Sequence, residues 1–127
     1  MVWGDLRKMK VLVVEDEPLI RLGIVSTIED AGYEVIDAAS ADEAIVRLTS
    51  DHGVEIVVTD VDMPGSMNGI QLARYARGRW PHVRMLVISG KVGVAPSELP
   101  TGVQFMSKPF QDPKLLSVIE TLARTAL

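Results

Sequence analysis

Three carboxylates in this sequence each come directly after a short apolar run. Glu15 and Asp16 follow the run at residues 11–14, and Asp60 follows the run at residues 55–59. If these runs are parallel strands, their carboxyl ends meet at one edge of a sheet, where the ligand sites of such sheets lie. Neighbouring carboxylates raise one another's proton affinity, and a bound cation relieves that repulsion. Because the donors are oxygens, with no cysteine and no nearby histidine, the set favours Mg²⁺.

A hydroxyl and an ammonium follow two further apolar runs. Ser89 comes after residues 84–88, and Lys108 comes shortly after residues 103–106. A carboxylate beside Mg²⁺ and a lysine can attack a phosphoryl group and form an aspartyl phosphate. Such a transfer needs mainly positioning and charge neutralisation, which Lys108 would supply, while Ser89 could donate a hydrogen bond. The pattern therefore predicts a phosphoryl-transfer site.

Amphipathic stretches separate the apolar runs and predict the helices that position these side chains. The first helix begins near Pro18, repeats Ile20, Ile24 and Ile28 on a core face, and stops at Gly32. Further strands are predicted at residues 33–38, 55–59, 84–88 and 103–106, and further helices after the caps Ser40, Asn68 and Asp112. Glycine and proline between residues 89 and 102 predict a loop with at most one helical turn. Strands that alternate with helices imply a parallel sheet with helices on both faces.

Composition limits the class of protein. The 127 residues suffice for one domain, and 47% hydrophobic with 24% charged residues is typical of a globular chain. The net charge of −4 argues against a free-standing nucleic-acid-binding protein. Since no apolar run is long enough to span a bilayer and the start lacks the pattern of a secretion signal, we expect a cytoplasmic protein without membrane contact.

Four motifs in this order resemble the receiver domain of two-component response regulators. They are Val14-Glu-Asp16, Asp60-Val-Asp-Met-Pro64, Ser89-Gly90 and Lys108-Pro-Phe110, and the resemblance covers residues 9–125. It implies an α/β fold with a doubly wound five-stranded parallel sheet in the order 2-1-3-4-5. It also implies one receiver domain over residues 1–127, with residues 1–8 as an N-terminal lead-in.

The resemblance assigns roles to the candidate site residues. It makes Asp60 the phosphoacceptor and places Mg²⁺ on the carboxylates of Asp16 and Asp60 and the backbone carbonyl of Asp62. Glu15 would hold a metal-bound water.

The same resemblance makes Ser89 the switch hydroxyl and gives Lys108 the phosphoryl contact, with the Lys108–Pro109 bond cis. Phe105 stands at the position of the family's aromatic switch, although core packing is the favoured interpretation of this side chain. Asp62 and Lys91 would flank the path of the water that attacks the phosphoryl group; the alternative of two solvated charges that do not meet stays open.

Two segments depart from the usual pattern of the family. The loop at residues 64–69 has one residue more than its commonest form. The interval from Ser89 to Lys108 is shorter than usual and contains prolines, so the fourth helix of the family is expected to be short or irregular.

These observations predict a phosphorylation-dependent signalling receiver. Asp60 would accept its phosphoryl group from a histidine kinase or a histidine phosphotransfer protein, and a separate effector protein would respond. Homodimer formation stays open, as does the alternative of a phosphorylation-independent interaction module with the same fold. We expect slow self-dephosphorylation rather than the activity of a dedicated enzyme, and the sequence indicates neither the kinase nor the pathway.

Overall fold

A five-stranded parallel sheet forms the centre of the computed structural model, which describes residues 9–90 and 99–125. Its strands are β1 (Lys10–Val14), β2 (Glu34–Ala38), β3 (Val54–Asp60), β4 (Arg84–Ser89) and β5 (Val103–Ser107). They lie in the order β2-β1-β3-β4-β5, and each neighbouring pair is parallel. The predicted strand order is confirmed. The direction of winding reverses between β1 and β3, which is the point where sheets of this kind bind ligands.

Two helices begin at the side-chain caps that the sequence predicts, Ser40 and Asn68. The predicted cap Asp112 is wrong, because the last helix begins at Asp112 itself and the Gln111 carbonyl accepts from the N–H of Leu115. Within the described residues they are α1 (Pro18–Asp30), α2 (Ala41–Ser50), α3 (Gly69–Arg79) and α4 (Asp112–Thr125). The Asn68 side chain accepts from the backbone N–H of Gln71, whose side chain accepts from the N–H of Asn68, so both halves of a capping box are present. Ser40 accepts from the backbone N–H of Glu43, as predicted. These caps fix where α2 and α3 start relative to the strand ends.

The sheet divides the apolar core into two clusters, because successive strand residues point to opposite faces. On one face, the sheet packs against α1 and α4 through residues that include Val13, Ile24, Ile28, Val58, Leu115 and Ile119. On the other, it packs against α2 and α3 through residues that include Leu12, Leu48, Val57, Leu72, Ala76 and Met85. Helices therefore cover both faces of the sheet, as predicted.

The first turn of α1 departs from the prediction. Ile24 and Ile28 are buried, but Ile20 is 45% exposed and does not belong to the core face. Ile20 lies beside Lys108 and Pro109, where no strand of the described part of the chain extends far enough to cover it. The helical period is therefore correct, but the buried face begins one turn later than predicted.

Some expectations fall outside the described residues. The short or irregular helix between β4 and β5 would lie at residues 91–98, and Lys91 and the lead-in at residues 1–8 are likewise outside the described part. Within residues 9–90 and 99–125, no helix combines the length and apolar character needed to cross a bilayer.

Candidate functional site

The two central strands bring three carboxylates together. β1 ends directly before Glu15 and Asp16, and its neighbour β3 ends at Asp60. One oxygen from each of the three carboxylates lies within 4.8 Å of the others. Glu15 is 2% exposed and Asp60 is 7% exposed, while Asp16 is half-buried. The acids predicted at the strand ends therefore form one pocket, which we call the acidic pocket (Glu15, Asp16 and Asp60).

Hydrogen bonds hold the backbone and the side chain of Glu15. Its N–H donates to the carbonyl of Ala38 on β2 at 3.1 Å, and its carbonyl accepts from Nη1 of Arg21 at 2.8 Å. The backbone N–H of Glu17 donates to Oε2 of Glu15 at 3.0 Å. These three bonds hold the turn that leads from β1 into α1.

Hydrogen bonds also hold the backbone around Asp60. Oγ1 of Thr59 donates to the Asp60 carbonyl at 2.9 Å, and the N–H of Val61 donates to the Ile88 carbonyl at 2.9 Å. The N–H of Gly69, at the start of α3, donates to the Val61 carbonyl at 2.9 Å. These contacts anchor Asp60 to β4 on one side and to α3 on the other.

Lys108 reaches into the acidic pocket from the end of β5. Its Nζ lies 3.2 Å from Oδ2 of Asp60 and 3.7 Å from Oε1 of Glu15. Its backbone N–H donates to the Ser89 carbonyl at 2.9 Å, and the Lys108–Pro109 peptide bond is cis, as expected. The ammonium therefore stands against two of the three carboxylates.

Burial perturbs the Glu15 carboxyl. Removal from water raises its pKa to about 7; the N–H of Glu17 opposes this rise, Asp60 and Asp16 add to it, and Lys108 opposes it. Oε1 of Glu15 is buried without a hydrogen-bond partner among the described residues. A hard divalent cation such as Mg²⁺ prefers oxygen donors of this kind, so the donor set fits it.

The remaining predicted site residues of the described part, Ser89, Asp62 and Phe105, differ in how far they are buried. Ser89 is fully buried at the end of β4, opposite Ser107 of β5 and next to Ile88, the register partner of Asp60. Asp62 is exposed, and its N–H donates to Oδ1 of Asp60 at 3.3 Å. Phe105 is half-buried on β5 and packs against the core cluster of α2 and α3. The switch roles of Ser89 and Phe105 stay predictions.

The longer loop after β3 has an anchor of its own. Oγ of Ser66 donates to Oδ1 of Asp42, in the first turn of α2, at 2.6 Å. Gly65, with φ of 106°, occupies the left-handed region that favours glycine. The extra residue is therefore accommodated by a turn that is held to α2.

Sequence reasoning missed two residues that shape the site, Arg21 and Gly69. An arginine on an amphipathic helix gives no local sign that it contacts backbone six residues earlier. Gly69 was noted as the end of a loop, but its close approach to Asp60 depends on how α3 packs.

The comparisons with known proteins agree with this geometry. Residues 11–120 match the family model described as the response regulator receiver domain. The chain belongs to this family. As a receiver domain, it is 36% identical over 116 residues to the sensor kinase CckA of Brucella abortus, with 88% of this chain and 12% of that protein covered. It is 33% identical to the response regulator receiver protein CpdR of the same organism, with 89% of this chain and 95% of that protein covered.

A solved structure extends the likeness to the whole fold. The crystal structure of a response regulator receiver protein from Sinorhizobium medicae is 29% identical, with a TM-score of 0.87 and coverage of 96% of this chain and 99% of that one. The receiver domain spans only 12% of the sensor kinase and 24% of the response regulator FleR of Pseudomonas aeruginosa, but nearly all of CpdR. Its relatives therefore include both longer proteins and a protein of similar length.

Proposed function

We propose that this receiver domain takes up a phosphoryl group on Asp60 and signals through its phosphorylated state. The observation that carries the proposal is the position of Lys108 Nζ, 3.2 Å from Oδ2 of Asp60, beside the acidic pocket. The family match supports a phosphoacceptor role in two-component signalling. Receiver domains act as phosphoacceptor switches and not as dedicated enzymes, so we propose slow self-dephosphorylation as the reset.

The proposed reaction is a displacement at phosphorus. An Asp60 carboxylate oxygen forms the new O–P bond, while the P–N bond of a phosphohistidine breaks and its electron pair returns to the imidazole, which takes up a proton. Lys108 stands where its charge offsets the charge of the phosphoryl oxygens, and the Ser89 hydroxyl would donate to one of them. The bond from Thr59 to the Asp60 carbonyl and the bond from the Val61 N–H to Ile88 hold the backbone at Asp60 in place, which favours attack along one direction.

The acidic pocket is the proposed Mg²⁺ site. Asp16 and Asp60 would bind the ion directly, together with the backbone carbonyl of Asp62, and Glu15 would bind a metal water. Bound Mg²⁺ supplies positive charge against the phosphoryl oxygens. We expect Asp16→Asn to weaken Mg²⁺ binding and slow phosphorylation.

The surface beside the pocket supports a protein as the phosphoryl donor. Leu19 is 77% exposed and Ile20 is 45% exposed in the first turn of α1, and Ile20 lines a shallow cavity of about 480 Å³ with Lys108 and Phe110. Exposed apolar side chains grouped in this way are typical of protein contact sites. We therefore propose a histidine kinase or histidine phosphotransfer protein as the partner, with a separate effector protein reading the phosphorylated state.

The extent of the domain is also part of the proposal. The family match over residues 11–120 supports one receiver domain for the whole chain, with residues 1–8 ahead of β1. The family match supports the cytoplasm as its proposed location.

Intact mass after treatment with acetyl phosphate and Mg²⁺ tests the proposed function. We expect the mass of one phosphoryl group in the wild type and none in Asp60→Asn, with reductive trapping placing the modification at residue 60. Folding of Asp60→Asn is checked by circular dichroism. A modification at Glu15, Asp16 or Asp62 in the wild type would contradict the assignment, and an unmodified wild type would favour the interaction module that works without phosphorylation.

A matched pair of surface variants tests the partner. Ile20→Ser on α1 and Val46→Ser on α2 both remove an exposed apolar side chain, but only Ile20 lies beside Lys108. Ile20→Ser should slow transfer from a phosphorylated histidine phosphotransfer protein but not from acetyl phosphate, and Val46→Ser should slow neither. Equal rates in all three proteins with the protein donor would refute this docking surface.

A further inference from the structure

Arg21 joins α1 to the ends of two strands. Its Nη1 donates to the Glu15 carbonyl at 2.8 Å, and its Nε donates to Oδ2 of Asp37 on β2 at 3.2 Å. The arginine side chain is 21% exposed, so most of it lies against the protein. A planar guanidinium that donates in two directions holds its two acceptors in a fixed relation.

The carbonyl that Arg21 binds belongs to the peptide bond between Glu15 and Asp16. Because the peptide unit is planar, the direction of this carbonyl also sets the direction of the Asp16 N–H and the point from which the Asp16 side chain starts. The N–H of Glu15 is already bound to Ala38. With Arg21 in place, the peptide units on both sides of Glu15 are held against β2 and α1.

We propose that Arg21 is a positioning residue for the acidic pocket: by clamping the Glu15–Asp16 peptide, it sets the affinity of the pocket for Mg²⁺. This inference rests on the proposed Mg²⁺ site. Groups that orient metal ligands from behind change metal affinity by about 10- to 100-fold when they are removed.

If Arg21 acts through its charge, its removal should change the Mg²⁺ affinity in the opposite direction from that expected if it acts by positioning the peptide. Removing a positive charge near three carboxylates leaves a more negative pocket, which on Coulomb grounds binds a divalent cation more tightly. Losing the clamp frees the Glu15–Asp16 peptide and weakens binding. The sign of the change therefore distinguishes the clamp from a simple charge effect.

The test is the dissociation constant of Mg²⁺ by isothermal calorimetry, together with amide chemical shifts of Glu15 and Asp16 during the titration. Arg21→Met keeps the length of the side chain but removes its donors, and we expect binding to weaken about tenfold. Arg47→Met is the matched control, since it removes the same charge from α2, where Arg47 lies 3.9 Å from Glu43. We expect its Mg²⁺ affinity to equal that of the wild type, and we expect Arg21→Lys to recover part of the loss because its ammonium can still donate to the carbonyl.

Each outcome bears on one of the two proposals. A wild type that does not bind Mg²⁺ overturns the metal site and the clamp with it. A wild type that binds, with equal or tighter binding in Arg21→Met, overturns the clamp alone. If Arg21→Met does not fold, Asp37→Ala removes the acceptor of Nε while leaving the Arg21 charge, and unchanged Mg²⁺ affinity in that variant overturns the clamp.

Discussion

Gly69→Ala is expected to displace Asp60, because the start of α3 lies directly against the backbone of Asp60. A Cβ on Gly69 would overlap the carbonyl oxygen of Asp60 and would lie 2.8 Å from the Asp60 carbonyl carbon and 2.9 Å from Cα of Val61. Carbon atoms pack at about 3.5–4.0 Å, so the two backbone segments would have to separate by about 1 Å. All of these atoms belong to the backbone and cannot rotate away.

The cost follows from that displacement. Forcing an extra methyl group into a packed site costs about 1–3 kcal/mol, and here the movement also strains the bond from the Gly69 N–H to Val61. Alanine recovers less than about 1 kcal/mol through its higher helix propensity. We therefore expect a net loss of about 1–2 kcal/mol in the free energy of unfolding. A misplacement of about 1 Å also slows phosphorylation from acetyl phosphate by about 100-fold.

Gly78→Ala provides the matched control in the same helix. A Cβ there has no neighbour within 4 Å, so the substitution should stabilise the protein by up to about 1 kcal/mol and leave phosphorylation unchanged. Urea unfolding and the rate of mass increase with acetyl phosphate measure the two effects. If Gly69→Ala were as stable as the wild type and as quickly phosphorylated, the close approach of α3 to Asp60 would not position the acceptor.

Two further predictions concern charged side chains outside the core. The Lys10 ammonium, 2.7 Å from Asp51, and the Gly53 N–H lower the pKa of Asp51 below 3.8. The ionised carboxylate therefore stabilises the fold above pH 3.8, and this contribution is lost as the pH falls through the lowered pKa. Asp51→Asn should thus have a lower Tm than the wild type at pH 7, and this difference in Tm should shrink towards pH 3. Thermal unfolding of both proteins at several pH values measures it, and a Tm difference that stays constant with pH would contradict the prediction. Asp62→Ala keeps the backbone N–H and carbonyl, so it should change the lifetime of the aspartyl phosphate several-fold while leaving Mg²⁺ affinity and unfolding free energy near wild type. The lifetime is measured as the rate at which the phosphorylated mass disappears. A lifetime equal to that of the wild type would exclude the Asp62 side chain from control of water access.

Local signals predicted much of this fold. Asn68 marked the start of α3, and Ser40 marked the start of α2, because a side-chain oxygen at a helix N-terminus accepts from a backbone N–H a few residues later. The convergence of Glu15 and Asp60 also followed from sequence, because parallel strands place their carboxyl ends at one edge.

The errors and omissions concern contacts between distant parts of the chain. Helical periodicity grouped Ile20 with Ile24, but it does not indicate how far a helix extends past the strands it covers. The contacts of Arg21 to Asp37 and of Gly69 to Asp60 join separate elements. Such contacts depend on how the elements pack, and no spacing along the chain specifies them.

The two edges of the sheet bear on how the protein behaves at high concentration. An open sheet can recruit strands from other molecules through the unpaired backbone groups at its edges, which is a common route to aggregation. The β2 edge carries Glu34 and Asp37, whose carboxylates are held by Lys10 and Arg21, and an approaching strand would have to desolvate these charges. β5, at the other edge, has only five residues. Pro109 comes two residues after the end of β5 and has no N–H with which to continue the pairing of strands. Edge-to-edge growth is therefore disfavoured at both sides, and any pairing of two copies is expected to use helix faces rather than an extended sheet.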